Sequence, residues 1–524
     1  MVNDPISTFS GLPAQQQDPV IISGGMGIWI SCWVMSRIVS LLGGMGIVSG
    51  TALDIVYARI LQQGDPGGHV RRAFAELSRR VPALELPLRQ LLKNYFIENG
   101  KPASAPFKAT PTGKLTRVPG AAGPASLWEP NPEFQLLTLA ANFAEVWLAK
   151  EGHAGKVGIN YLRKVERPLP WGLYGAMLAG VDYVAMGAGS PAEIPGIIDK
   201  LSRHEAASLA LRVYGTDSNS GEFAVCIRPD TLGAGAAAPA LPKPKFLAIV
   251  SSFALAEALA SNPVSRPYGF IIEGSVAGGH NAPPGRKAFN KQGDAVVIYT
   301  EADAIDVKAI AGLGLPFWMA GAYGSPERLA EALALGASGI QFGTAAALSG
   351  QSGLAPELRN QALEMISRNA LEIKTDGRTS PSGFPFKVAQ IPGTLSDEKV
   401  YSARRRVCDI GFLQSAYLTP QGDLRFRCPA ENEEEYVRKG GKVPHTKGRV
   451  CLCNGLLATA GFPQTWASGY KEPPIVTLGD DLTAVRRLME TLPPGHKTYS
   501  IGKAFQYIAS ALDAQKKTGP GNNP

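Results

Sequence analysis

The sequence predicts an α/β protein built on a closed (β/α)8 TIM barrel. Three features point to it: short β-type runs recur and mostly end in glycine or a small polar residue, the stretches between them carry helical spacing, and eight runs suit the barrel. In order the runs are 20–23, 46–49, 156–160, 182–186, 246–250, 270–273, 316–320 and 339–342. The apolar stretch 28–42 after the first run reads as the first barrel helix. Arg37 and several serines interrupt it, and it is too short to span a bilayer. A long insertion, 51–155, follows the second run, with helical stretches and a Pro/Lys/Ala-rich loop near 101–124. Two further strand-like runs, 208–213 and 222–228, flank the turn-rich GTDSNSG. They are assigned to an inserted hairpin at 208–242, because counting them in the barrel would give ten strands. The barrel unit is therefore 18–355, followed by a cysteine-bearing extension, 356–515, whose last helical stretch is 501–514; 1–17 and 516–524 are expected to be tails. A doubly wound sheet is the rival architecture, but no GxGxxG follows an early strand.

Composition narrows the function classes. With 45% apolar and 18% charged residues the chain can bury a large core. The net charge of +8 is spread along the chain and forms no single stripe, so nucleic acid is not expected as a partner; phosphates, acidic substrates or an acyl carrier protein suit such a surface better. The opening MVNDPISTFSGLPAQQQDP has no basic start followed by an apolar run, so a cytoplasmic location and reduced thiols are expected.

In a barrel of this kind the chemistry sits on the loops that leave the C-terminal ends of the strands. The seventh run continues as AGAYGSPERLAEALALGA and the eighth as GIQFGTAAAL. Gly321 lets main chain approach a ligand, Ser325 and Pro326 suit the start of a helix, and Gly343 with Thr344 starts another. Two helix beginnings aimed at one place favour a phosphate. After the sixth run, Gly278 and Gly279 precede His280, an imidazole placed to move a proton near neutral pH. The Gly24-Gly25-Met26-Gly27 turn after the first run lets a flat ring lie against main chain.

These motifs resemble the nitronate monooxygenase (2-nitropropane dioxygenase) family of FMN barrels, through Ala277-Gly278-Gly279-His280 and Gly343-Thr344, over roughly residues 18–355. Within that superfamily GSVAGGHNAPP, LPFWMAGAYGSPE and SPSGFPFKV are more similar still to the enoyl reductase subunits of polyunsaturated fatty acid synthases. The resemblance implies FMN as cofactor, His280 as catalytic acid/base, and Gly25, Met26, Asn160, Gly187, Gly279, Gly321, Gly343 and Thr344 along the flavin. The chain departs from the nitronate oxidases in having Ser23-Gly24-Gly25-Met26 in place of a proline-methionine turn, and Asn281-Ala282-Pro283-Pro284 after the histidine.

Three functions follow as expectations. The first is oxidation of a nitronate by oxygen with His280 as base; the second is NAD(P)H-dependent reduction of an enoyl thioester, with an acyl carrier protein as possible partner. The third is a non-catalytic subunit that docks a synthase. A homo-oligomer is compatible with each. Cys408, Cys428, Cys451 and Cys453 fall in one section, and four thiols suit zinc or an iron–sulfur cluster; the alternative is that they are small buried residues. Cys32 and Cys226 read as packing residues.

Overall fold

The computed structural model describes residues 18–119, 126–214, 223–233, 238–286, 288–290 and 295–517. Eight parallel strands close into a barrel: β1 (Ile21–Ser23), β2 (Met45–Ser49), β3 (Lys156–Leu162), β4 (Tyr183–Gly187), β5 (Lys245–Val250), β6 (Gly269–Glu273), β7 (Phe317–Ala320) and β8 (Gly339–Phe342). Each strand pairs with its neighbours in sequence order, and β1 joins both β2 (Ile22 beside Met45) and β8 (Ile21 beside Ile340). The fold class expected from the strand runs is the one observed.

Alternation along the strands explains the two cores. Ile22, Met45, Ile47, Tyr183, Leu247, Ile271 and Trp318 fill the barrel interior, while their strand neighbours Ile21, Val48, Val184, Ala248 and Ile272 face the helical shell. The N-terminal rim is closed by polar bonds. Asp18 accepts from Tyr183 Oη (2.8 Å), Lys245 Nζ (2.7 Å) and Tyr268 Oη (2.6 Å), and Trp318 Nε1 donates to Pro19 O (2.6 Å).

Two expectations need correction. The first helix is Trp33–Leu41, not 28–42: Ile28 and Ile30 belong to a turn that faces the barrel mouth. The run 208–213 breaks into Ala207–Ala210 and Val213–Tyr214, and the turn GTDSNSG lies outside the described residues. The two insertions also share a sheet. Ala207–Ala210 and Phe223–Ile227 form the antiparallel hairpin, Phe223–Ile227 pairs in turn with Ser126–Pro130 from the first insertion, and Leu115–Arg117 adds to that strand, giving one four-stranded sheet.

The extension runs from the barrel's outside to its mouth. Phe505, on the helix Ile501–Lys517, packs so closely on Gly44 that a Cβ there would lie 2.5 Å from its ring. Two strands, β9 (Ile373–Asp376) and β10 (Phe386–Ala389), form a hairpin that reaches the loop after β6. No helix among the described residues is long and apolar enough to cross a membrane.

Candidate functional site at the barrel mouth

Loops leaving the C-terminal ends of the strands surround one cavity of about 250 Å³. Gly25, Met26, Asn160, Gly187, Gly279, His280, Gly321, Gly343 and Thr344 all line it. The local backbone is unusual there. Trp29, Ala52, Ala188 and Ala322, each on a loop at this rim, hold a positive φ between 57° and 62°, a conformation that non-glycine residues keep only when their surroundings impose it.

Gly25 lies against Asn160 at the end of β3. A Cβ on Gly25 would fall 2.1 Å from Asn160 Cβ, so the approach needs glycine. Asn160 Nδ2 donates to Gly25 O (3.4 Å), while its Oδ1 is buried without a partner. At the ends of β7 and β8 the two glycine turns are neighbours: a Cβ on Gly324 would touch Phe342 Cβ at 3.6 Å, and Gly321 sits against the β6 loop at Ala277 N. The helix Pro326–Ala334 begins here, capped by Ser325 Oγ, which accepts from Arg328 N; Gly343 is the N-cap of the short helix Thr344–Ala347. Among the described residues lining the cavity there is no Arg or Lys, so main-chain N–H groups are the donors available to a phosphate.

FMN fits this chemistry. The paired glycine turns offer a main-chain cradle, Gly343 has only Met26 Sδ, at 3.8 Å, near the position of a Cβ, and the orphaned Asn160 Oδ1 is an acceptor awaiting a donor such as a ring N–H. The Thr344 hydroxyl also ties the extension to the turn, because its Oγ1 accepts from Gly479 N (2.9 Å).

His280 is fixed from two sides. Gly279 N donates to Thr477 Oγ1 (2.7 Å) and Gly279 O accepts from Lys387 N (2.9 Å), so the loop is held between β10 and segment 477–480. The imidazole packs edge-on against Phe386, with ring centroids 4.8 Å apart, and its Nε2 is hydrogen-bonded to Ser380 Oγ (2.7 Å). Burial, reinforced by the Lys164 cation, holds its pKa well below the ordinary 6.5, so the ring is neutral. Glu273, at the end of β6 and on the same wall, is pushed up to about 7 by burial. On the other side of the mouth Leu162 and Val165 combine with Phe412, Leu413, Leu452 and Leu456 of the extension into an apolar arm.

Sequence reasoning assigned no role to Ser380, Ser382 or Thr477 and did not find the apolar arm, because the serines, Thr477, Phe412, Leu413, Leu452 and Leu456 come from the extension and reach the mouth only through tertiary packing. Lys164 was within reach, since it belongs to a loop at the C-terminal end of a strand.

Cys408, Cys428, Cys451 and Cys453 lie near one another. Cys408 hydrogen-bonds with Cys428, and Cys451 with Cys453. Among the described residues no group of three or more His, Cys, Asp or Glu is placed to hold a metal ion. The bond from Cys453, helped by Arg404 and opposed by burial, pulls the Cys451 thiol down to about 6. Cys453 itself lines the cavity. Cys32 and Cys226 are buried.

No protein-family model and no curated protein matches the chain. Among solved structures it is similar to FabK from Thermotoga maritima (14% identity, 95% of this chain and 94% of that chain, TM-score 0.45). It is also similar to nitroalkane oxidase from Streptomyces ansochromogenes (14%, 95% and 96%, 0.40). A third is the enoyl reductase domain of MlnA from the macrolactin biosynthesis cluster of Bacillus amyloliquefaciens (12%, 72% and 87%, 0.41).

Proposed function

We propose that this chain is an FMN-dependent oxidoreductase that reduces the activated double bond of an enoyl thioester. The observation that carries this reading is the character of the cavity lining. It offers a neutral imidazole, a buried carboxyl at Glu273 and an apolar arm, and the described lining residues contribute no cation. A nitronate is a small anion and would be desolvated here without a counter-charge. An acyl chain is long, apolar and neutral at its reacting end, and suits both the arm and the polar floor.

Gly25, Met26, Asn160, Gly187, Gly279, Gly321, Gly343 and Thr344 are the residues that would hold FMN, with the phosphate on the β7 and β8 turns. When bound, FMN supplies hydride transfer from NAD(P)H to the double bond. The chain's own contribution is the proton. As negative charge develops on the carbon α to the thioester carbonyl, His280 delivers a proton there; a neutral imidazole does so without first discharging a buried cation. The interlocked loops around Gly279 keep the ring in one orientation, and the apolar arm excludes water from the chain.

NAD(P)H consumption by the flavin-loaded full chain tests this. Oxidation that requires an enoyl thioester, rises with acyl length from four carbons upward and drops roughly 10²-fold in His280→Ala is expected. Oxygen-dependent turnover of a nitronate, with flavin that NAD(P)H does not reduce, would overturn the reading in favour of the nitronate oxidase.

A further inference from the structure

Behind His280, hydrogen bonds run away from the cavity. Nε2 is bonded to Ser380 Oγ at 2.7 Å, Ser380 Oγ to Ser382 Oγ at 2.8 Å, and Ser382 Oγ accepts from Lys164 Nζ at 3.3 Å. Among the described residues none bonds to Nδ1, which leaves that nitrogen for the cavity. The two serines come from the β9–β10 connection and the lysine from the loop after β3, so three separate segments build one file. Lys164 lies over the Phe384 ring (4.8 Å) and is half-buried. Among the described residues it has no carboxylate partner, unlike its neighbour Arg163, which is paired with Glu166 (3.2 Å) and Glu193 (2.8 Å).

We propose that Lys164, Ser382 and Ser380 form a proton relay that recharges His280 from outside the cavity, with Lys164 as the positioning residue that sets the direction of transfer. Each serine hydroxyl accepts one proton and gives one. When the substrate carbon takes the Nδ1 proton of His280, Ser380 passes its hydroxyl proton to Nε2. Ser382 replaces that proton on Ser380 Oγ, and the Lys164 ammonium replaces the one on Ser382. Lys164 is left as a neutral amine, and His280 stays neutral in its other tautomer; the amine becomes an ammonium again only when the file runs back, so one solvent proton is taken up per turnover. Water in the vacated cavity returns the proton to Nδ1 as the file runs back. No bond other than O–H and N–H is made or broken.

The charges around the file are compatible with this direction. Arg449 stands behind Ser380 and is occupied by the carbonyl oxygens of Arg378 and Ser380. Lys387 is paired with Asp480 (2.6 Å), and Asp376 accepts from the main chain of Arg378 and Thr379. On the cavity side the acidic groups are Glu273 and Asp481. Burial brings Lys164 down to about 7, where it gives up a proton readily near neutral pH.

The proposal rests on the reading of His280 as proton donor, and two independent measurements test it. In the full chain loaded with FMN, Lys164→Ala is expected to lower kcat for enoyl thioester about 10²-fold, with KM within about twofold and NAD(P)H reduction of the flavin unchanged. The pH profile should lose its limb near 7, and methylamine should restore turnover; Ser382→Ala should lower kcat similarly but resist methylamine. A Lys164→Ala enzyme with wild-type kcat and pH profile would overturn the relay. The second measurement needs no turnover: His-selective ¹³C labelling gives six imidazole signals. His280 should stay neutral from pH 5 to 8 in the wild type and titrate at higher pH in Lys164→Met. An unchanged titration removes the coupling even if the enoyl assay fails, in which case the functional reading alone has failed.

Discussion

At the scale of single residues, two glycines separate packing from ligand. A methyl at Gly25 collides with Asn160 inside the protein, whereas one at Gly343 meets only Met26 Sδ, at 3.8 Å, and its φ of −121° is open to alanine. Gly343→Ala should therefore leave the melting temperature of flavin-free protein unchanged. Its FMN retention should fall tenfold or more, equivalent to about 1.4 kcal/mol, read as flavin absorbance per chain after gel filtration. Equal retention in both proteins would remove the phosphate from the β8 turn. The glycines and His280 were legible in the sequence because their meaning is local: a turn type, a helix start, a ring at a strand end. Ser380 was not, because a serine carries no signal until the fold sets it 2.7 Å from an imidazole separated from it by 100 positions.

Among the elements, the barrel strands could be placed from the sequence because their apolar runs are bounded by glycines and by helical spacing. The first helix was overextended because Ile28 and Ile30 have the right hydrophobicity for a helix and yet face the mouth. Apolar residues at a site and apolar residues in a helix look alike in one dimension. The sheet joining the two insertions was not legible either, since strand partners far apart in the chain leave no spacing to read. At the opposite rim, Asp18 ties β4, β5 and the approach to β6 together through three bonds. Burial opposes its ionisation, but the bonds from Lys245, Tyr268 and Tyr183 prevail and hold its pKa below the ordinary value. Its contribution is thus present above pH 4 and is lost as pH falls through that lowered pKa. Asp18→Asn should cost about 1–3 kcal/mol in denaturant unfolding while leaving bound flavin unchanged, as suits a change at the barrel face remote from the chemistry.

For the whole molecule, buried carboxyls set the response to pH. Asp54, Glu145, Glu166, Glu273 and Glu472 are each pushed up to about 7, in every case chiefly by burial. A carboxyl whose folded pKa is raised stabilises the fold below its unfolded pKa, near 4, and that share is lost as pH rises through about 7. His280 and His153 act in the opposite sense below pH 6.5, and Cys451 and Lys164 do so above about 6 and about 7, so the five carboxyls prevail chiefly at the lower end of the range. The melting temperature should accordingly fall by several degrees, roughly, between pH 5.5 and 7.5. Glu145→Gln keeps an acceptor for Tyr57 Oη (2.7 Å) and Trp29 Nε1 (3.0 Å) and should flatten that slope; a slope identical to the wild type would show that Glu145 is not among its sources.

The clasp on the β6 loop also has a consequence for how the protein is born. Gly279 waits for Thr477, 198 positions later, before its N–H finds an acceptor. At 5–20 residues per second a ribosome needs roughly 10–40 s to supply that stretch. A nascent barrel with all eight strands already emerged would still lack the wall that orients His280. If the proposed reading holds, flavin capture in a competent form is a late event in the life of the chain, and premature termination anywhere before the clasp should leave a barrel without working chemistry.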